Sequence, residues 1–120
     1  MFGAGAVGGY LGAMLAAAGC DVSLVARGPH LAAIQQNGLT LWRNGKSQTY
    51  AIRATDSAVE LGPQDFVLVT LKAHALPGVA ADLRTLLGPD TAVVSAVNGL
   101  PWWYFHRLAS PIAELSLIHI

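Results

Sequence analysis

The chain has 120 residues, of which 53% are hydrophobic and 12% charged, and its seven basic and seven acidic side chains cancel. That length holds one domain with a real core and is short for a complete metabolic enzyme. The charge balance excludes a basic nucleic-acid stripe and a charged disordered tail, and the single cysteine, Cys20, excludes an internal disulfide framework and fits a reducing compartment.

In chain order, residues 6–18 predict a helix with Val7, Leu11, Met14 and Leu15 on one apolar face and Gly19 as its stop. Residues 22–26 read as a short buried strand. Gly28 and Pro29 open a second helix that runs to about Asn37 and Gly38. A hairpin follows, turning at Asn44-Gly45, because that dipeptide supplies the positive φ angles of a tight turn. Asp56 and Glu60 mark a solvated helix start. The run FVLVTL (residues 66–71) predicts a strand covered on both faces, and residues 76–87 a helix stopped by Gly88 and Pro89. TAVVSAV (residues 91–97) predicts another doubly buried strand, ended by Asn98-Gly99. Residues 101–115 have only weak helical periodicity. Buried strands alternating with helices predict an α/β fold with a parallel sheet and right-handed crossovers.

The opening MFGAGAVGGYLGAMLAAAGC fits two incompatible schemes, a lipoprotein signal cleaved before Cys20 and a cofactor-cradling turn. The signal scheme lacks a basic start, since no Lys or Arg precedes Arg27, and its apolar stretch is broken by Gly3, Gly5, Gly8, Gly9 and Gly12. Ala17 stands where such signals prefer a larger aliphatic residue, and Cys20 leads straight into a strand. The turn scheme has Gly3-x-Gly5-x-x-Gly8, the dinucleotide-binding spacing: a tight turn, a close approach of backbone to a pyrophosphate, and tight helix–sheet packing. The helix beginning at Ala6 would aim free N–H groups at the phosphates. Only Met1 and Phe2 precede the turn, so the first strand is expected to be shortened.

Arg27, Lys72 and Asn98 each follow a predicted strand, which gathers them at the carboxyl edge where open parallel sheets bind ligands. Arg27 stands nineteen residues after Gly8, where NAD-specific folds carry an acid; an arginine there suits a 2′-phosphate, against the alternative of a solvated helix-entrance residue. Lys72 suits a cofactor or a substrate carboxylate, against a lysine that reaches solvent. Asn98 is equally a ribose or substrate partner and a turn residue before Gly99. The block Trp102-Trp103-Tyr104-Phe105 favours packing over substrate contact. His30, His74, His106 and His119 show no metal-ligand spacing, although His74 lies near Lys72.

The segments GAGAVGGYLGAMLAAAGCDVSLVARG, VTLKAH and VNGLPWWYFH together resemble the N-terminal domain of the 2-dehydropantoate 2-reductase (ketopantoate reductase) family over about residues 3–108. The resemblance implies a Rossmann-type parallel sheet flanked by helices, with a truncated first strand and without the family's helical C-terminal domain. It implies NADP as cofactor, with Gly3, Ala4, Gly5, Ala6, Val7 and Gly8 cradling the pyrophosphate, Arg27 on the 2′-phosphate, Lys72 on the cofactor and Asn98 bridging cofactor and substrate. The activity implied is hydride transfer to a small-molecule 2-oxo acid, 2-dehydropantoate, in the cytoplasm, with no metal, nucleic acid or membrane partner. The family's general acid is a lysine on the absent domain, so the chain is expected to hold no catalytic residue and to be inactive alone. Residues 1–114 are then an NADP-binding domain, and residues 115–120 a non-native tail that resembles translated adapter DNA. Two rivals are a paralogous reductase of another 2-oxo acid and an NAD(P)-sensing regulatory Rossmann module, which usually carries an acid after its second strand.

Overall fold

The computed structural model describes residues 1–98, so the aromatic block, His106, His119 and the expected tail lie outside the described residues. The elements are α1 (Ala6–Ala17), β1 (Ser23–Val25), α2 (Gly28–Asn37), β2 (Leu39–Arg43), β3 (Lys46–Tyr50), β4 (Arg53–Thr55), β5 (Gln64–Val69), α3 (Ala80–Arg84) and β6 (Leu87–Ser95).

Residues 1–3 hold the centre of the sheet. Phe2 bridges in parallel to Val25 of β1 on one side and to Val69 of β5 on the other. Its N–H donates to the Leu68 carbonyl at 2.7 Å, and the Gly3 N–H donates to the Val25 carbonyl at 3.1 Å. Beyond these, β1 pairs with β4 and β5 with β6, again in parallel. The spatial order is therefore β4, β1, residues 1–3, β5, β6. The shortened first strand is thus a single bridge on each side, at the position that organises the sheet. The β2–β3 hairpin is antiparallel and separate; it turns through Asn44 and Gly45 at φ 52° and 73°, as the Asn-Gly pair predicts.

Successive strand residues face opposite ways. Leu24 joins a core with Ala13, Leu31, Ile34 and Leu39 beneath α1, α2 and the hairpin. Val25 joins Phe2, Val67, Val69, Val79 and Leu86 on the other face.

Both ends of α1 follow its glycines. At its end the Gly19 N–H donates to Ala16 and the Cys20 N–H to Leu15, with Gly19 at φ 87°, the hydrogen-bond pattern of a glycine-stopped helix. The buried face is not the predicted one. Gly8, Gly12 and Ala13 are buried, whereas Val7 is 53% exposed. Small residues win because the helix lies so close to the sheet: a Cβ at Gly12 would come within 3.0 Å of the Leu24 side chain.

Other expectations also give way. The helix predicted over residues 76–87 is replaced by two 3₁₀ turns, Ala73–Ala75 and Pro77–Val79, and by the five-residue α3. Pro77 lacks a backbone donor and Gly78 is a poor helix former, so regular helix starts only after them. Gly88 and Pro89 stop nothing; they lie inside β6, in an irregularity between Gln64 and Phe66 of the partner strand. There Thr91 Oγ1 donates to the Gln64 carbonyl at 2.5 Å and accepts from the Gly88 N–H at 2.7 Å. The three-residue β4 is too short to stand apart from the hairpin arm in the sequence. Asp56 precedes a 3₁₀ turn, Ala58–Glu60, that ends on Glu60, and Thr55 Oγ1 donates to Glu60 Oε2 at 2.9 Å. Finally, the described residues do not cover β5 and β6 on both faces. Val67 and Val69 are buried, but Phe66, Val93 and Val94 are exposed.

Candidate functional site

A cleft of about 940 Å³ opens at the carboxyl edge of the sheet. Its lining includes Gly3 to Val7 of the glycine turn, Arg27, Lys72 and Asn98. The strand-end placement expected from the sequence therefore brings these residues to one cavity. Gly8 is buried under the turn and is not part of the lining.

Each glycine of the turn has a distinct physical task. Gly3 sits at φ 106°, a conformation that L side chains rarely adopt. Gly5 has nothing within 4 Å of where a Cβ would stand, so the space above it is open to a ligand. A Cβ at Gly8 would drive into the Gly3 carbonyl and Thr70 Oγ1. No side chain caps α1 and no acidic residue occupies its first turn, which leaves its N-terminal N–H groups and positive dipole end available.

Among the described residues the cleft lining contains the cations Arg27 and Lys72, with His30 and His74, and no carboxylate. Arg27 is the N-cap residue of α2. Its Nη2 lies 3.7 Å from Asp82 Oδ2, with both side chains more than half exposed. Such a pair contributes little and yields readily to a better anion. Lys72, three residues after β5, and Asn98, three after β6, are both exposed.

Two polar lining residues, Thr70 and His30, were given no site role from the sequence, His30 being noted only for its lack of metal-ligand spacing. Thr70 Oγ1 donates to the Gly3 carbonyl at 2.6 Å, and His30 Nε2 lies 2.7 Å from the Ala4 carbonyl oxygen. His30 also borders a second cavity of about 500 Å³ beside Tyr10 and Leu39. Their signal was positional: Thr70 precedes Lys72 on the same strand end, and His30 stands one helical turn after Arg27.

Among the described residues no helix is long and apolar enough to cross a membrane, and no cluster of three or more His, Cys, Asp or Glu could hold a metal ion. Cys20 is exposed at the tightly bonded end of α1, three residues before β1.

A parallel sheet whose central strand runs into a glycine turn and helix, with polar groups gathered at the carboxyl edge, defines a Rossmann-type α/β fold. Residues 1–101 match the family model for ketopantoate reductase PanE/ApbA, and the chain belongs to that family. It is 52% identical over 118 residues to the 2-dehydropantoate 2-reductase of Mesorhizobium japonicum, covering 98% of this chain and 36% of that protein. A crystal structure from Ralstonia solanacearum MolK2, provisionally described as a ketopantoate reductase, matches with a TM-score of 0.86 at 52% identity, over 93% of this chain and 35% of that one. The ternary structure of D-mandelate dehydrogenase with NADH and anilino(oxo)acetate matches with a TM-score of 0.74 at 28% identity, over 83% of this chain and 34% of that one. The chain thus spans about a third of the length of the relatives it matches.

Proposed function

We propose that this chain is the cofactor-binding part of an NADPH-dependent 2-oxo-acid reductase that converts 2-dehydropantoate to pantoate. The observation that carries the reading is the cleft itself: an uncapped helix N-terminus, an open Gly5, and Arg27 and Lys72 with no carboxylate among the described lining residues. That donor set fits a dinucleotide. The N–H groups of Ala4 to Val7 in the glycine turn suit a diphosphate, and the Arg27 guanidinium suits a 2′-phosphate, which would displace Asp82 from its 3.7 Å pairing.

The reduced nicotinamide, once bound, supplies hydride to the 2-oxo carbon. The chain's own residues orient the reactants. Lys72 contributes a fixed positive charge near the cofactor, and the Asn98 carboxamide, with both donor and acceptor, bridges cofactor and substrate. The alkoxide formed must be protonated by a general acid. In this reading that acid is a lysine on the part of the enzyme beyond this chain, so residues 1–114 form the NADP-binding domain and do not turn over alone. The carboxylate and oxo group of the substrate are read there too, and the reaction belongs to cytoplasmic coenzyme A biosynthesis.

Cofactor choice is the sharpest test, because a relative in fold is described with NADH. Calorimetric titration of the 120-residue chain should give NADPH at least about tenfold tighter than NADH, the worth of one charge-assisted contact. Arg27→Ala should collapse that preference without moving the melting temperature. Equal binding of the two cofactors removes the NADP assignment and favours a sensing module.

A further inference from the structure

The proposed cofactor contacts give no task to Thr70 and His30, two side chains of the cleft that bond the glycine turn. Both engage the glycine turn, and both engage it through a carbonyl oxygen. Thr70 Oγ1 lies 2.6 Å from the Gly3 oxygen and 3.2 Å from the Phe2 oxygen, so its one proton goes to the nearer acceptor. His30 Nε2 lies 2.7 Å from the Ala4 oxygen, a distance that requires the proton on that nitrogen.

A peptide unit is planar and trans, so its C=O and the following N–H point in opposite directions. Fixing the Gly3 oxygen therefore fixes the Ala4 N–H, and fixing the Ala4 oxygen fixes the Gly5 N–H. This matters at a turn flanked by glycines, where rotation of a peptide plane meets little steric resistance. A rotated plane would present a carbonyl oxygen to an anion instead of a donor. One anchor comes from the end of β5 and the other from the first turn of α2, so elements on both sides of residues 1–3 hold the turn.

We propose that Thr70 and His30 are positioning residues that lock the Gly3–Ala4 and Ala4–Gly5 peptide planes with their N–H groups set for a diphosphate. The inference rests on the turn holding phosphate and does not depend on which cofactor carries it.

The test uses the 120-residue chain, inorganic pyrophosphate and NADPH as titrants, and amide hydrogen exchange as a second readout. Thr70→Val and His30→Ala should each weaken pyrophosphate binding by about tenfold, the worth of one hydrogen bond that preorganises a donor. Thr70→Ser should restore it. Exchange should quicken at the Ala4 and Gly5 amides and stay unchanged at Leu24 and Val67 in the core. His30 is exposed, so His30→Ala carries the test if Thr70→Val fails to fold. Equal acceleration of core exchange, failure of serine to rescue, or unchanged pyrophosphate affinity overturns the proposal, as does a wild-type chain that binds no pyrophosphate. Pyrophosphate binding without NADPH binding, still weakened by both variants, defeats the cofactor reading and leaves this one standing.

Discussion

The two sides of residues 1–3 are built differently. On the β1–β4 side, α1, α2 and the hairpin cover the sheet, and Leu24 and Ala13 are fully buried. On the β5–β6 side, cover among the described residues comes from 3₁₀ turns and the short α3, and Phe66, Val93 and Val94 are 65%, 52% and 45% exposed. Yet both sides deliver residues to the same cleft, Arg27 and His30 from one, Thr70, Lys72 and Asn98 from the other. Precision at the site therefore does not require equal packing of its two supports. It requires that both be tied to the glycine turn, and hydrogen bonds from Thr70 and His30 make those ties.

The largest expected effect breaks the seam between the sides. Gly8→Ala places a methyl group against the Gly3 backbone oxygen and Thr70 Oγ1, and backbone cannot step aside as a flexible side chain can. The cost should exceed about 5 kcal/mol and abolish cooperative melting. Gly5→Ala is the matched control. Gly5 has φ near −67°, which alanine accepts, and open space around its Cβ position. Its stability should change by less than about 1 kcal/mol, while pyrophosphate binding falls because the methyl group enters the cleft. A Gly8→Ala chain that melts like the wild type would show that α1 lies farther from the turn than the structure places it.

The next effect measures the asymmetry of packing. Leu24→Ala should cost about 2–5 kcal/mol by thermal or denaturant melting, through lost burial and the cavity left behind. Val94→Ala, on the exposed side, should cost less than about 1 kcal/mol. Comparable losses would mean that β6 is covered as fully as β1.

That same asymmetry explains what the sequence made legible. On the β1–β4 side the signals were local: Gly19 and Gly38 end their helices, Pro29 starts one, and Asn44-Gly45 turns the hairpin. On the other side the hydrophobic run of residues 66–71 located β5, but its reading as a strand covered on both faces does not hold, because an apolar run locates a strand without fixing what covers it. Pro77 and Gly78 break the helix that the apolar residues around them favoured over residues 76–87. The buried face of α1 was misjudged for a different reason. Hydrophobic periodicity favours large side chains, whereas the distance between helix and sheet selected Gly8 and Gly12. At the site, Arg27, Lys72 and Asn98 could be placed because strand ends are readable. Thr70 and His30 could not, because their partners are carbonyl oxygens 67 and 26 residues away.

The smallest effect concerns the seam at its start. The Met1 amino group donates to the Ser23 carbonyl at 2.8 Å, and burial lowers its pKa below the ordinary 8.0 of a chain-terminal amine. Below the folded-state pKa both folded and unfolded chains carry the proton, and the folded chain bears the full cost of burying the charge. Between the two pKa values the unfolded chain holds more protons, so stability rises with pH; above the unfolded value both forms are neutral and the rise levels off. Melting temperature should therefore climb as pH increases toward 8.0 and then plateau. Acetylating the amine removes the charge but keeps an N–H for Ser23, so it should flatten that climb. An equal climb in the acetylated chain would place the titration elsewhere and leave the joint between the two sides indifferent to the charge at its head.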